Sequence, residues 1–357
     1  MAGWPRNDLS ELLGVEHPII QAPMASAATP ALAAAVSNAG GLGSLGCAPF
    51  TPEKFAEQVG ALRADTNRAF NVNFFVHDEP VADSEAETAM RQRLAPYYAE
   101  LELGEAPAAR SVFPIFGAEM LAAVTALKPP VVSFHFGLPE HATIETLKAS
   151  GAVILASATT VREAVALEQG GVDAVIAQGY EAGGHRATFL GDVESGTVGT
   201  FALVPQVADA VSVPVIAAGA VADGRGIAAA FALGASGVQI GTAFLACPET
   251  EMHPVHRELL LQARGETTQV TRTISGRPAR AIVNRYITEM NESGAEPLAF
   301  PLQYSLSGPL NAASRKRDSS DLMVMWAGQA AALARPLPAG ELLTKLADEA
   351  QAVIAAM

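Results

Sequence analysis

The run Gly183-Gly184-His185 carries the residue types best suited to chemistry in this chain, and it follows an apolar run that ends in Gln178. Histidine is the side chain whose charge changes near neutral pH. A glycine pair lets the backbone approach a flat or phosphorylated ligand closely. A histidine on such a turn, at the mouth of a buried strand, is placed to meet a ligand. Six other histidines compete with it. His17 precedes the first apolar run, at the strand end that does not carry catalysis in a barrel. His77 and His141 fall in an insertion and at a helix start, where a surface position is the plain expectation. His253 and His256, three apart, share a helix face but lack a third ligand, so metal binding is not expected. His135, at the end of the fourth apolar run, is the real rival.

Two further strand ends carry glycine. One reads Ala217-Ala218-Gly219, the other Gln239-Ile240-Gly241-Thr242. Loops after the seventh and eighth strands of a barrel often bind phosphate. The donors are backbone N–H groups at glycine turns and at a helix N-terminus, with about half a positive charge. Thr242 adds a hydroxyl, and no lysine is required. Neutral amides recur at other strand ends: Gln21 before Ala22-Pro23-Met24, Asn71 and Asn73 on the third run, and Gln178 on the sixth. They suit the polar edge of a heterocycle. Equally, buried Asn and Gln satisfy loop backbones, and both readings stand for each residue. Gly41-Leu42-Gly43-Ser44-Leu45-Gly46 fits GxGxxG by letter. A dinucleotide fingerprint follows a strand and opens a helix. This one follows a helix and becomes a strand, so it reads as packing.

The elements that must position these residues form a regular series. Eight apolar, largely β-branched runs lie at 18–22, 42–46, 70–75, 131–135, 152–156, 173–178, 213–218 and 237–241. Nearly all-apolar strands are buried on both faces, as in a parallel sheet. Helices between them start at Thr29-Pro30 and Thr51-Pro52, an N-cap before a proline at the first helical position. Asn38-Ala39-Gly40-Gly41 stops the first of these helices. Eight strands alternating with helices predict an α/β fold, a (β/α)8 TIM barrel, with a doubly wound sheet as competitor. Residues 1–245 form the barrel, with a helical acidic insertion at about 77–110. Residues 246–318 form a cap on the substrate side. Residues 319–357 are expected to be helices completing the barrel wall, one over 320–333 and one over 339–357.

Bulk properties narrow the function classes. Half of the 357 residues are hydrophobic and 17% are charged, enough for a large core, and the net charge is −14. That balance argues against nucleic acid, which requires basic surface. Cys47 and Cys247 are far apart, give no metal-ligand or disulfide pattern, and read as buried thiols. The N-terminal segment has no apolar signal core, and no apolar stretch reaches spanning length. No membrane partner and a reducing cytoplasm are expected.

The stretches Pro18-Ile19-Ile20-Gln21-Ala22-Pro23-Met24, Ser133-Phe134-His135-Phe136-Gly137-Leu138-Pro139, Glu181-Ala182-Gly183-Gly184-His185-Arg186 and Pro214-Val215-Ile216-Ala217-Ala218-Gly219 resemble the nitronate monooxygenases, formerly called 2-nitropropane dioxygenases. Trp326-Ala327-Gly328-Gln329 resembles their class I branch. The resemblance covers nearly the whole chain. It implies a (β/α)8 barrel holding FMN non-covalently. The implied FMN contacts are Pro23, Met24, Asn73, Gln178, Gly183, Gly184, Gly219, Gln239, Ile240, Gly241 and Thr242. His185 matches the family's active-site histidine. One departure is Ala220, where the family commonly has a second glycine. The implied reaction oxidises an alkyl nitronate, for example propionate 3-nitronate, with O2 to a carbonyl compound and nitrite. FMN carries the electrons. His185 holds the nitronate oxygens when protonated, or removes the α-proton of a neutral nitroalkane. His135 helps to polarise the nitro group. Tyr180, Tyr304 and Lys316 are candidates to orient a carboxylated substrate.

Three rival functions remain distinct. The same barrel serves an FMN-dependent NAD(P)H reductase of a quinone or an enoyl thioester. A nucleotide oxidoreductase resembling IMP dehydrogenase requires a nucleophilic cysteine after the sixth strand, where this chain has Glu181 to Arg186. A flavin- or phosphate-binding protein without turnover would leave His185 without a task.

Overall fold

All eight expected strands form, and they run parallel. In chain order the strands are β1 (Ile19–Gln21), β2 (Gly43–Gly46), β3 (Phe70–Phe75), β4 (Val131–His135), β5 (Val153–Ala158), β6 (Ala174–Gln178), β7 (Gly184–His185), β8 (Val215–Ala218), β9 (Gly237–Ile240), β10 (Thr268–Thr271) and β11 (Ala279–Ile282). The computed structural model describes every residue except 1, 2, 26 and 193. The main sheet has the order β1-β9-β8-β6-β5-β4-β3-β2. A parallel bridge between Ile20 and Leu42 joins its two edges. The result is a (β/α)8 barrel, as the alternation predicts.

Capping follows the sequence signals. Thr29 and Thr51 accept the amides of Leu32 and Lys54 and start the helices Pro30–Asn38 and Pro52–Asp65. Gly40 ends the first of these at φ +93°, a left-handed conformation that glycine adopts without a Cβ penalty. The closing helix Ala339–Ala356 buries Leu342, Leu343 and Leu346 in the layer between sheet and helices. Each such side chain contributes about 1.5–3 kcal/mol by leaving water. Leu9 and Leu13, from the helix Asp8–Leu13, join Ile20, Leu42, Val131, Leu155 and Ile216 in a cluster of their own. Glycine 43 explains the GxGxxG letters: a Cβ there would lie 1.9 Å from the Ala33 carbonyl oxygen. Helix and strand pack in backbone contact at that point.

The cap is built from two stretches. The insertion helix Ser84–Glu100 and the helix Leu302–Lys316 share a cluster that includes Leu94, Tyr98, Leu306 and Leu310. Tyr98 Oη donates to the Leu306 carbonyl at 2.7 Å. A small antiparallel sheet, β10-β11-β7, ties the cap to the barrel, because β7 is the segment carrying His185.

One expectation fails. Residues 320–333 form no α-helix; the stretch is extended, with an antiparallel bridge from Trp326 to Ala281 and a short 3-10 turn at Ala331–Leu333. Its side chains alternate between two clusters. Met323, Met325 and Ala327 enter one, and Leu322, Val324 and Trp326 pack on the other. A period of two buries both faces of an extended chain, and an unbroken apolar run results. Among the described residues no helix is long and apolar enough to cross a membrane, and no group of three or more His, Cys, Asp or Glu side chains could hold a metal ion.

Candidate active site

The C-terminal ends of the barrel strands open into a cavity of about 380 Å³. It is lined by Pro23 and Met24 after β1, Asn73 on β3, His135 on β4, Gln178 on β6, Gly183 to His185, Gly219 after β8, and Gln239, Gly241 and Thr242 at β9. The sequence reading thus names residues that meet in one place. Ile240 is the exception. Its side chain is 1% exposed and packs in the layer between sheet and helices. Alternation along β9 turns Gln239 to the cavity and Ile240 away.

His185 is fixed from three sides. Its backbone pairs with Ala279 of β11. Its carbonyl accepts from Gln178 Nε2 at 3.0 Å and from His135 Nε2 at 3.1 Å. Its own Nε2 lies 2.8 Å from Ser275 Oγ. The rings of Phe300, Trp326, Phe136 and Phe75 stand 5.6, 5.2, 5.9 and 6.0 Å from its centroid. Burial, then the neighbouring His135 and Arg277, hold His185 down to about 3. Burial likewise lowers His135 to about 4, against the opposing pull of its bond to the His185 carbonyl. Both rings are neutral at pH 7.

The amide side chains divide between the two roles left open for them. Gln178 is spent on the protein: Nε2 holds the His185 carbonyl and Oε1 accepts the Ala187 amide at 2.9 Å. Gln21 is fully buried and accepts the Ser44 amide at 2.8 Å. Asn73 donates to Ser133 Oγ at 2.9 Å and to the Ser133 carbonyl at 3.2 Å, and among the described residues its Oδ1 has no donor. Gln239 Oε1 is buried and has no partner among the described residues. A buried unpaired oxygen costs roughly 1–3 kcal/mol, so a donor from a bound group is the expected complement. The glycines divide too. A Cβ on Gly183 would sit 2.5 Å from the Gly328 nitrogen and 2.6 Å from the Ala327 carbonyl carbon. Protein, not ligand, fills that side. Gly184 is needed for its φ of +72°.

Several lining residues lie far off in sequence. Val324, Trp326 and Ala327 come from the extended stretch, and His256, Tyr304, Asn311 and Arg315 from the cap. Tyr304, Asn311 and Arg315 recur at seven- and four-residue steps, one stripe of the helix Leu302–Lys316. Among the described residues the Arg315 guanidinium makes no hydrogen bond and no ion pair, although Glu251 stands on the same rim. Tyr304 is the only one of the three carboxylate candidates that lines the cavity. Tyr180 instead stacks under Arg280 at 5.0 Å, and Lys316 is exposed. His256, which the sequence gives no role beyond a shared helix face with His253, is buried and lines the cavity, and among the described residues its Nε2 has no partner. Arg186, 1% exposed, ties the loop after β6 through the carbonyls of Gly179, Gln178 and Gly196.

The nitronate monooxygenase family model matches residues 6–349. The chain belongs to the nitronate monooxygenase family. It is 45% identical over 346 residues to a nitronate monooxygenase of Paraburkholderia phytofirmans, covering 96% of this chain and 94% of that protein. It is 44% identical over 343 residues to one of Pseudomonas aeruginosa, covering 95% and 98%. Its fold is similar to that of the nitroalkane oxidase of Streptomyces ansochromogenes, with a TM-score of 0.90, 39% identity, and coverage of 98% and 99%. As a member of this family the protein is an oxidoreductase. Ala220, where the resemblance leads one to expect a second glycine, has φ +59°, a left-handed conformation that costs a residue with a Cβ about 1–2 kcal/mol.

Proposed function

We propose that this family member is an FMN-dependent nitronate monooxygenase that converts alkyl nitronates and O2 to a carbonyl compound and nitrite, with propionate 3-nitronate as a fitting substrate. The observation that carries the reading is one cavity that joins a neutral His185 in an aromatic wall to an unpaired cation, Arg315. The residues present fit FMN. Among the described residues neither Gln239 Oε1 nor Asn73 Oδ1 has a donor, and Gly219 and Gly241 offer backbone without side chains at the two strand ends suited to phosphate. When bound, FMN supplies electron transfer between the nitronate and O2.

The chain's own groups do the rest. Phe75, Phe136, Phe300 and Trp326 exclude water around His185, which strengthens each polar contact there. Arg315, with Tyr304 and the amide nitrogen of Asn311, receives the carboxylate of the substrate. His185 accepts the α-proton when the neutral nitroalkane enters, and the anion formed beside it raises its proton affinity. His135 acts at one remove. Its Nε2–H is committed to the His185 carbonyl, so it supports the His185 backbone and gives up the nitro-polarising role that the sequence suggested.

The deciding experiment records the visible spectrum of the purified, FMN-supplemented protein and mixes it, without oxygen, with propionate 3-nitronate and separately with NADH and NADPH. The reading expects the nitronate to reduce the flavin and nitrite to appear when oxygen is readmitted. Bleaching by a nicotinamide, with no nitrite from the nitronate, would move the protein to the reductase reading.

A further inference from the structure

We infer that Ser275 is a positioning residue that fixes His185 in the Nε2–H tautomer, so that Nδ1 is the atom that takes the substrate α-proton. The inference rests on the nitronate monooxygenase reading for its substrate, but its geometry does not.

A serine hydroxyl has one proton and two lone pairs. Ser275 Oγ donates to the Arg277 carbonyl at 3.1 Å, and a carbonyl can only accept. The same Oγ accepts the Arg277 amide at 3.3 Å. Its remaining lone pair faces His185 Nε2 at 2.8 Å. With the hydroxyl proton on the Arg277 carbonyl, Nε2 is the donor of this contact and carries the ring proton. Ser275 is fully buried, so no solvent molecule offers its hydroxyl another arrangement. Among the described residues His185 Nδ1 has no protein partner, and in this tautomer it holds a lone pair. The hydroxyl is itself anchored. Arg277 lies 3.8 Å over the Phe136 ring, and its guanidinium donates to the Thr188 carbonyl. The loop holding Ser275 precedes β11, which pairs with the His185 backbone. One cap element thus sets both the place and the protonation state of the ring. In the step that follows, the substrate C–H bond breaks, its electron pair enters the C–N bond to give the nitronate, and the proton forms an N–H bond at Nδ1. The imidazolium then carries a proton on each nitrogen, and Nε2 still donates to Ser275.

The test uses the FMN-loaded full chain labelled with 15N-histidine. Long-range proton–nitrogen spectra distinguish the two tautomers, and the His185→Asn spectrum assigns the signals. The expected result is a single Nε2–H tautomer in the unaltered protein, a mixture in Ser275→Ala, and recovery in Ser275→Thr. With it, Ser275→Ala lowers kcat/KM for a neutral nitroalkane about tenfold more than for the matching preformed nitronate, the scale of one hydrogen bond. An Nδ1–H signal in the unaltered protein overturns the proposal, even if Ser275→Ala fails to fold. So does an unchanged tautomer and an unchanged ratio in Ser275→Ala. An Nε2–H signal in a protein that turns over neither substrate supports the tautomer assignment and sinks the nitronate reading instead.

Discussion

At the scale of single residues, the two ends of the substrate make separable demands. Replacing His185 with asparagine removes a cavity imidazole whose ring is held in place by Ser275. General-base catalysis contributes about 10²- to 10⁴-fold, so kcat for a neutral nitroalkane should fall by at least about 100-fold, while a preformed nitronate loses less. Steady-state nitrite release from the two forms measures this. Replacing Arg315 with alanine should act on the other end. A charged hydrogen bond contributes about 1.5–3 kcal/mol, so kcat/KM for propionate 3-nitronate should drop roughly 10- to 100-fold. An uncharged nitronate of similar length should be nearly indifferent. A loss equal for both substrates would remove the carboxylate role from Arg315. His185, Asn73, Gln239 and the glycines at β8 and β9 were legible because each sits next to the strand that positions it. Ser275, Arg315 and His256 were not, since their place depends on a cap fold that brings residues about 70 to 130 positions beyond His185 onto the same barrel mouth. For Arg315 a signal existed: the stripe through Tyr304 and Asn311 repeats with helical spacing, and it would have favoured Arg315 over Lys316.

At the scale of elements, the close approach of two glycines decides how the cap meets the barrel. Gly183 and Gly328 are in backbone contact, with the Gly328 amide also donating to Thr242 Oγ1 at 2.9 Å. Alanine at 183 would push the 326–328 segment away, and Trp326 with it, from its place 5.2 Å from His185. Overpacking of this kind costs about 1–3 kcal/mol. The Gly183→Ala protein should therefore melt several degrees lower and bind FMN more weakly, as thermal melts and flavin titration would show. The same segment marks the limit of pattern reading. Apolar residues on every position from Leu322 to Met325 look identical whether a helix is buried all round or an extended chain is sandwiched between two clusters. The alternation of Met323, Met325 and Ala327 against Leu322, Val324 and Trp326 shows only in the fold. The eight barrel strands raised no such ambiguity, because each short run is bounded by turn or capping residues and the series repeats.

For the whole molecule, burying histidines in neutral form links stability to pH. His135, His185 and His256 are lowered to about 4, 3 and 4, in each case chiefly by burial, and His17 is lowered in the same direction. In the unfolded chain these rings return to the ordinary value near 6.5. Below that pH the unfolded state binds protons that the folded state refuses, so stability falls as pH drops. The loss begins near 6.5 and continues until the folded rings themselves protonate near 4 to 3. Above 6.5 these groups contribute no slope. Each ring can add up to about 1.4 kcal/mol per pH unit within the window. Carboxylates held low by hydrogen bonds, such as Glu168 and Glu349, act only at and below their ordinary value near 4.5, so the window between 6.5 and 4.5 isolates the histidines. Thermal midpoints should be flat from pH 8 to 7 and fall steeply from 6.5 to 4.5. His256→Gln removes one such ring and should flatten the slope by about one proton. A midpoint constant across that window would mean that the cavity histidines ionise freely in the folded protein, and the neutral His185 on which base catalysis depends would be lost with them.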